Sequence, residues 1–459
     1  MAMPNARKAP VDRARAAAAA QLVDAQAGRI DRRIFVDEEI YRIELEQIFA
    51  RCWLYLAHES QIPNPGDFVS VFMGEQPVIV CRGRDGKINA FLNSCRHRGN
   101  RVCRVDQGNA KTFVCAYHGW AYDTAGKLVG VPGQDEYYHN ELDRSAWGLP
   151  PVARVDSYNG LIFGSFDAEA PSLDDYLGDM RWGLDLLLGQ GDFVAVPGIA
   201  RWGIDCNWKF ASDNAIGDMY HGATSHRSAI MAGHASGTGY TVFGSGSNTL
   251  LDRAFFRHDN GFTLVTPYGH GLTASYYDEK SMDFSSPLAR WRTDADILAR
   301  MGEKRARTQR ANMNVFPNLF VNSGSRELMV RNPLGPGRTE MWKTTLVDRN
   351  LSPEAQRMQV RASNRHFGPA GMFEQDDGEN WSQSTFGCST PVAARYPLNY
   401  AMGLGHGEVQ PATDGTPPLI ETLVNEHAQL WMYRCWAQYL TAETWPQLQQ
   451  DHIEPKGAL

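Results

Sequence analysis

The spacing of hydrophobic positions changes character along the chain, and the changes mark candidate domains. Between residues 12 and 50, Ile40, Ile43, Leu45, Ile48 and Phe49 recur near helical spacing behind Asp37, a good capping residue; this stretch is read as helical. From about 58 to 168 the apolar runs shorten and become β-rich. Residues 77–82 and 87–93 flank Gly83–Gly86, a hairpin signal. Segments 111–117 and 119–123 follow, then a turn at Thr124–Gly126 and a run at 127–132. Residues 158–166 close the section. Beyond Pro171 a helix is expected over 172–188, then the segment 207–230. Strands are expected at 240–245, 261–267, 327–331 and 339–347, helix over 353–382, and an amphipathic helix over 419–440. Strands run together and helices cluster without βαβ alternation. The pattern predicts an α+β fold rather than a doubly wound one.

Composition narrows the classes. The 459 residues carry 45 Lys+Arg against 52 Asp+Glu, and 43% are hydrophobic. That is enough apolar material for a core, and the acidic balance argues against nucleic acid as a partner. The length suggests two or three domains. The 8 cysteines are too sparse for a disulfide framework. No secretory signal and no apolar run of membrane-spanning length are read, so a cytoplasmic location with free or metal-bound thiols is expected.

The first chemical constellation is Cys95-Arg96-His97, followed after 17 residues by Cys115-Ala116-Tyr117-His118. Each half offers one thiolate and one imidazole just beyond a predicted strand. Two such loops could converge on a structural zinc or an iron–sulfur cluster. Each half is mixed, which suits a [2Fe–2S] centre with thiolates on one iron and imidazoles on the other; that ligand set raises the reduction potential. Gly99 and Gly119 are expected to let backbone N–H groups approach the cluster sulfurs. Tyr117 and Trp120 could shield the cluster.

The second constellation lies in 207–226, which holds Asp213, Asn214, Asp218, His221 and His226. Two histidines five apart fall about 140° around a regular helix. They share a face only if the helix is broken, and Gly222–Ser225 is the expected break. A third ligand must come from elsewhere. The acidic stretch 371–381 offers Glu374, Asp376, Asp377 and Glu379, and spacing alone does not choose among them. Two His and one carboxylate on one face is the arrangement of non-haem Fe(II) sites that activate O2.

Taken together, residues 95–99, 115–123, 207–226 and 367–381 resemble the large (α) subunits of Rieske non-haem iron ring-hydroxylating dioxygenases, of the naphthalene/biphenyl/toluene branch. The resemblance implies that Cys95, His97, Cys115 and His118 hold a [2Fe–2S] Rieske cluster. It implies that His221, His226 and Asp377 hold a mononuclear Fe(II). Asp218 matches the family's bridging aspartate, which links a mononuclear-iron histidine to a Rieske histidine of the neighbouring subunit. Asn214, Ala215, Met219, Phe367 and Phe373 match pocket positions, and Ala215 stands where relatives often carry Phe, which would leave more room. Asn214 and Asp218 are the candidate catalytic side chains.

The implied fold is an all-β Rieske domain (57–169) inserted into a catalytic domain formed by 1–56 and 170–459, with a large antiparallel sheet and helices of helix-grip type. The implied activity is O2-dependent cis-dihydroxylation of an aromatic hydrocarbon. Electrons come from NAD(P)H through a ferredoxin reductase and a ferredoxin. The implied assembly is an α3β3 hexamer with a small β subunit. A Rieske monooxygenase or demethylase acting as an α3 trimer is the alternative, and a simple electron carrier would need residues 57–169 alone.

Overall fold

The computed structural model describes residues 11–231, 260–277 and 284–450. They fall into two compact units. One contains the described residues of Leu45–Leu173; the other contains those of Asp12–Glu44 and Asp174–Leu459.

The first unit is built almost wholly of antiparallel strands. A four-stranded sheet runs Ile88–Leu92, Gln76–Arg82, Asp67–Met73, Gln107–Asn109. A three-stranded sheet runs Leu128–Gly130, Ala121–Asp123, Thr112–Val114, and another runs Arg154–Tyr158, Leu161–Ser165, Leu54–His58. The expected hairpin forms: Arg82 pairs with Ile88 and Gly83 N–H donates to the Lys87 carbonyl. At the next turn Asp123 accepts from the N–H groups of Ala125 and Lys127, and Gly126 takes φ +75°. Residues 158–166 are not one strand. Asn159-Gly160, both at positive φ, turn the chain so that Tyr158 pairs with Leu161. Phe68, Ile79, Phe91, Phe113 and Tyr122 form the core on which the two Cys-His loops stand.

The second unit is a large antiparallel sheet covered by helices. Its strand order is Phe193–Ala195, Thr339–Asp348, Glu327–Pro333, Leu319–Asn322, Thr308–Val315, Gly271–Tyr276, Gly261–Val265, Leu419–Ile420, Val409–Gln410. Ala200–Ile204 also pairs with Thr339–Asp348. The strands expected at 261–267, 327–331 and 339–347 are all present; the one at 240–245 lies outside the described residues.

The helical expectations need correction in four places. Residues 12–50 are not one helix. Arg13–Ala20 is separated from Glu38–Glu44 by a short strand pair and a 3-10 turn, although Asp37 does cap the second helix through the N–H groups of Glu39 and Ile40. The 172–188 helix breaks at Gly178, φ +48°, into Leu173–Leu177 and Met180–Leu188. The acidic stretch is two helices, Pro353–His366 and Met372–Ser389, parted where Phe367 leaves helical geometry. Residues 419–440 begin as a sheet strand, and the helix starts only at His427. Among the described residues no helix is long and apolar enough to cross a membrane.

Candidate functional site

In the first unit the two Cys-His loops are conformational copies of one another. Cys95 N–H donates to the Asn100 carbonyl and Gly99 N–H to the Cys95 carbonyl; Cys115 N–H donates to the Trp120 carbonyl and Gly119 N–H to the Cys115 carbonyl. Gly99 and Gly119 take φ +72° and +73°, the left-handed conformation that closes each loop. Their N–H groups are therefore spent on the turns and not aimed at sulfur. The turn closed by Gly119 brings the Tyr117 and His118 N–H groups to the Cys115 thiol as donors.

The two imidazoles lie together and the two thiols lie together. The rings of His97 and His118 stand 4.4 Å apart, edge to face. Both cysteines are buried. Burial alone would raise the Cys115 thiol, but the Asn100 amide, the Tyr117 and His118 N–H groups and Cys95 bring it below the ordinary value. Tyr122 Oη lies 3.3 Å from Cys95 Sγ. Burial, with His118 and Arg98 nearby, lowers His97, which favours the neutral imidazole that metals bind. Buried His97 Nδ1 has no hydrogen-bond partner. A buried unpaired nitrogen beside a second imidazole and two buried thiols fits a [2Fe–2S] group. Trp120 is buried and stacks on His97 at 5.1 Å, whereas Tyr117 is exposed and lies over His118 at 3.8 Å.

In the second unit the chain solves the five-residue histidine spacing by leaving the helix early. Asn207 caps the helix Trp208–Ala215 by accepting from Lys209 N–H. The break comes at Gly217, φ +124°, and not at Gly222–Ser225, which is itself a single helical turn between His221 and His226. Gly217 lies so close to the sheet that a Cβ there would meet Thr273 Cβ at 2.2 Å. His221 and His226 thus sit at opposite ends of one turn. Their Nε2 atoms are 3.1 Å apart.

Asp377, on the helix Met372–Ser389, completes the set. Its Oδ1 is 3.1 Å from His221 Nε2 and 3.4 Å from His226 Nε2. Three donors held at about 2.0–2.2 Å from one ion and at right angles to each other would be roughly 3 Å apart, so these spacings fit a facial site. Asp377 Oδ1 is buried without a hydrogen-bond partner, as an atom reserved for a cation would be. Among the described residues this is the one group of three such side chains whose donor atoms converge within 4.8 Å.

Each histidine is backed by a carboxylate on its other nitrogen. Asp218 Oδ2 is 3.0 Å from His221 Nδ1, and Asp376 Oδ2 is 3.2 Å from His226 Nδ1. The adjacent acids that spacing did not separate have different partners: Asp377 faces both Nε2 atoms and Asp376 orients one ring. His226 also stacks on Phe373 at 4.2 Å, and Asn380 Nδ2 donates to Ser225 Oγ. Burial would lower His221, but Asp377 and then Asp218 override it and push the imidazole up to about 10.

A cavity opens beside these three side chains. Asn214, Ala215, Met219, Phe367 and Phe373, the expected pocket residues, all line it, and so do Asp218 and Glu374. Phe320, Phe367 and Phe373 form an aromatic wall, with ring centroids 5.6 and 6.4 Å apart. Asn214 Nδ2 lies 3.4 Å from His221 Nδ1. Sequence reasoning missed four lining residues contributed by the sheet: Arg310, Asn312, Phe320 and Arg331. The available signal was a charged residue inside an otherwise apolar strand pattern, as in Leu328-Met329-Val330-Arg331.

Two known family models match successive parts of the chain. Residues 52–158 match the family model described as Rieske [2Fe-2S] domain, and residues 173–413 match that described as ring hydroxylating alpha subunit (catalytic domain). The chain belongs to the family of aromatic-ring-hydroxylating dioxygenase α subunits, oxidoreductases that carry a Rieske cluster and a mononuclear iron and use O2. It is 39% identical to biphenyl 2,3-dioxygenase subunit alpha of Rhodococcus jostii, over 94% of this chain and 92% of that one. It is 38% identical to benzene 1,2-dioxygenase subunit alpha of Pseudomonas putida, over 93% and 94%. A solved structure of naphthalene 1,2-dioxygenase with indole in its active site superposes with TM-score 0.84 at 32% identity, covering 94% of this chain and 96% of that one.

Proposed function

We propose that this chain is the terminal oxygenase α subunit of a multicomponent system that converts an aromatic ring to a cis-dihydrodiol. In this reading Cys95, His97, Cys115 and His118 hold the [2Fe–2S] cluster, and His221, His226 and Asp377 hold the mononuclear iron. The observation that carries the reading is the trio of donors 3.1–3.4 Å apart beside an aromatic-walled cavity. When bound, the iron supplies O2 activation and the cluster supplies electrons.

The chain's own contribution is orientation. Asp218 and Asp376 hold the two rings by Nδ1 and so leave Nε2 free to bind metal. The phenylalanine wall excludes water and fixes a flat ring against the site. Asn214 and Asp218 are the polar groups that border it. Asp218 is half-buried rather than sealed, which supports its reading as a contact to a Rieske histidine of a neighbouring subunit. A ferredoxin with its reductase, a small β subunit and an α3β3 assembly in the cytoplasm complete the proposal.

The test is reconstitution with ferredoxin, reductase and a panel of mono- to tetracyclic arenes. A cis-diol with both oxygens from O2 is expected, and no O2-dependent product from any arene would sink the reading. In parallel, Asp377→Ala should lower iron from about three to about two per chain with the cluster spectrum unchanged. Unchanged iron content would show that the ligand is misassigned.

A further inference from the structure

Two guanidiniums border the cavity beside the metal ligands. Arg310 lies on Thr308–Val315 and Arg331 on Glu327–Pro333, and both line the cavity with Phe320, Phe367 and Phe373. Strand register puts them on one face of the sheet. Asn312 opposes Asn322 and Asn322 opposes Glu327; Arg310 lies two residues before Asn312 and Arg331 four residues after Glu327, even separations that keep both on that face. Arg331 is 2% exposed. Its Nε and Nη1 are buried with no hydrogen-bond partner, and its guanidinium lies over the Phe320 ring at 4.9 Å. Arg310 has one weak polar contact, Nη2 to Met219 Sδ at 3.9 Å. Among the described residues neither arginine forms an ion pair with a carboxylate within 4.0 Å.

A buried guanidinium without a partner is costly and is normally compensated. Asp377 attracts both guanidiniums and Glu374 attracts Arg331, but among the described residues no carboxylate comes within ion-pair distance of either one. Asp377 and Asp218 face the histidines. Burial pushes both arginines down only to about 10, so both remain charged at neutral pH. With a divalent ion on His221, His226 and Asp377 the cavity is net positive. A plain hydrocarbon would leave this charge unanswered.

We propose that the preferred substrate is an arene bearing an anionic oxygen substituent, typified by a carboxylate, which Arg331 and Arg310 receive while the ring lies against the phenylalanine wall. The inference rests on the dioxygenase reading and narrows its substrate class. Planar forks of N–H donors match a carboxylate in two-point contact.

The test uses the iron-loaded holoenzyme with its electron-transfer partners and three probes of similar shape: 2-naphthoate, 2-naphthamide and naphthalene. Calorimetric titration of the wild-type protein should show 2-naphthoate binding at least tenfold tighter than 2-naphthamide, with the preference weakening as salt rises. In turnover, Arg331→Met and Arg310→Met should each lower the kcat/KM ratio of 2-naphthoate to naphthalene at least tenfold. Should either variant fail to fold, the wild-type titration still decides. Equal or tighter binding of the neutral probes overturns the proposal, and so does a ratio unmoved in both variants. Diol from naphthalene but none from 2-naphthoate overturns it while leaving the dioxygenase reading intact. Preferential binding of 2-naphthoate without any diol supports the charge assignment and counts against the dioxygenase reading alone.

Discussion

Asp218 Oδ2 stands 3.0 Å from His221 Nδ1, three residues further along the chain, and Asp218 Oδ1 accepts from the N–H groups of Tyr220 and His221. One carboxylate thus shapes the backbone turn with one oxygen and orients the ring with the other. Burial alone would raise its pKa; the His221 ring and the two N–H groups hold it below the ordinary carboxylate value. Asp218→Asn keeps the size and removes the charge. Removing the carboxylate behind a metal-bound histidine costs about 10–100-fold in metal affinity or activity. Turnover should fall by that order, with the Rieske absorbance unchanged and iron lost more readily to a chelator. Unimpaired turnover would remove Asp218 from the positioning role.

Gly217 explains why the ligand turn can lie against the sheet at all. Its φ of +124° is unfavourable for other residues, and a Cβ would strike Thr273 side-chain atoms at 2.2 and 2.4 Å and its backbone nitrogen at 2.8 Å. Strain of this kind costs on the order of 1–3 kcal/mol. Gly217→Ala should displace Asp218 and His221 together. Metal analysis is expected to show mononuclear iron reduced with the cluster retained; full iron occupancy would mean the turn tolerates a side chain.

Much of this arrangement was legible in sequence because it rests on short-range chemistry. Cys95, His97, Cys115 and His118 announce themselves by type and spacing, and two histidines five apart demand a broken helix. The position of the break was not legible. Gly217 and Gly222 are equally good breakers in sequence, and only the approach to Thr273 selects the first. The same limit hid Arg310 and Arg331. Strand alternation says that they share a face with their neighbours, but whether that face meets solvent or a cavity depends on helices more than 30 residues away. The strand Leu419–Ile420 was lost within a longer amphipathic pattern, because a two-residue strand leaves no periodicity to read.

A buried acid elsewhere in the same unit gives a pH prediction. Asp213 Oδ2 accepts from Tyr400 Oη at 2.8 Å and Tyr433 Oη at 2.5 Å. Burial outweighs these bonds and pushes the carboxyl from 3.8 up to about 7. The sign follows from linkage. Below pH 3.8 both folded and unfolded chains hold the proton. Between 3.8 and about 7 only the folded chain does, so ionisation increasingly favours unfolding as pH rises. Asp213→Asn has no proton to lose. Its melting temperature relative to the wild type should climb from pH 4 to pH 7 and then level off. A difference independent of pH would show that Asp213 is ionised in the folded protein.

The helix that leads into the ligand turn is anchored by a buried ion pair. Lys209 Nζ lies 2.6 Å from Glu44 Oε1, with the two side chains 1% and 0% exposed. Glu44 also accepts from Trp208 Nε1 and Trp436 Nε1, each at 2.8 Å. The carboxylate therefore joins the Glu38–Glu44 helix, the Trp208–Ala215 helix and the His427–Thr441 helix. Cutting one partner of such a pair strands the other charge in a medium that cannot solvate it, at about 3–5 kcal/mol. Lys209→Met should lower unfolding free energy by that amount. Replacing both groups, Lys209→Met with Glu44→Gln, removes the stranded charge and leaves an amide oxygen to accept from an indole. The double variant should therefore recover part of the loss, a non-additivity that chemical denaturation with a double-mutant cycle would measure. Strict additivity would show that the Lys209–Glu44 pair contributes no coupling to the stability of this junction.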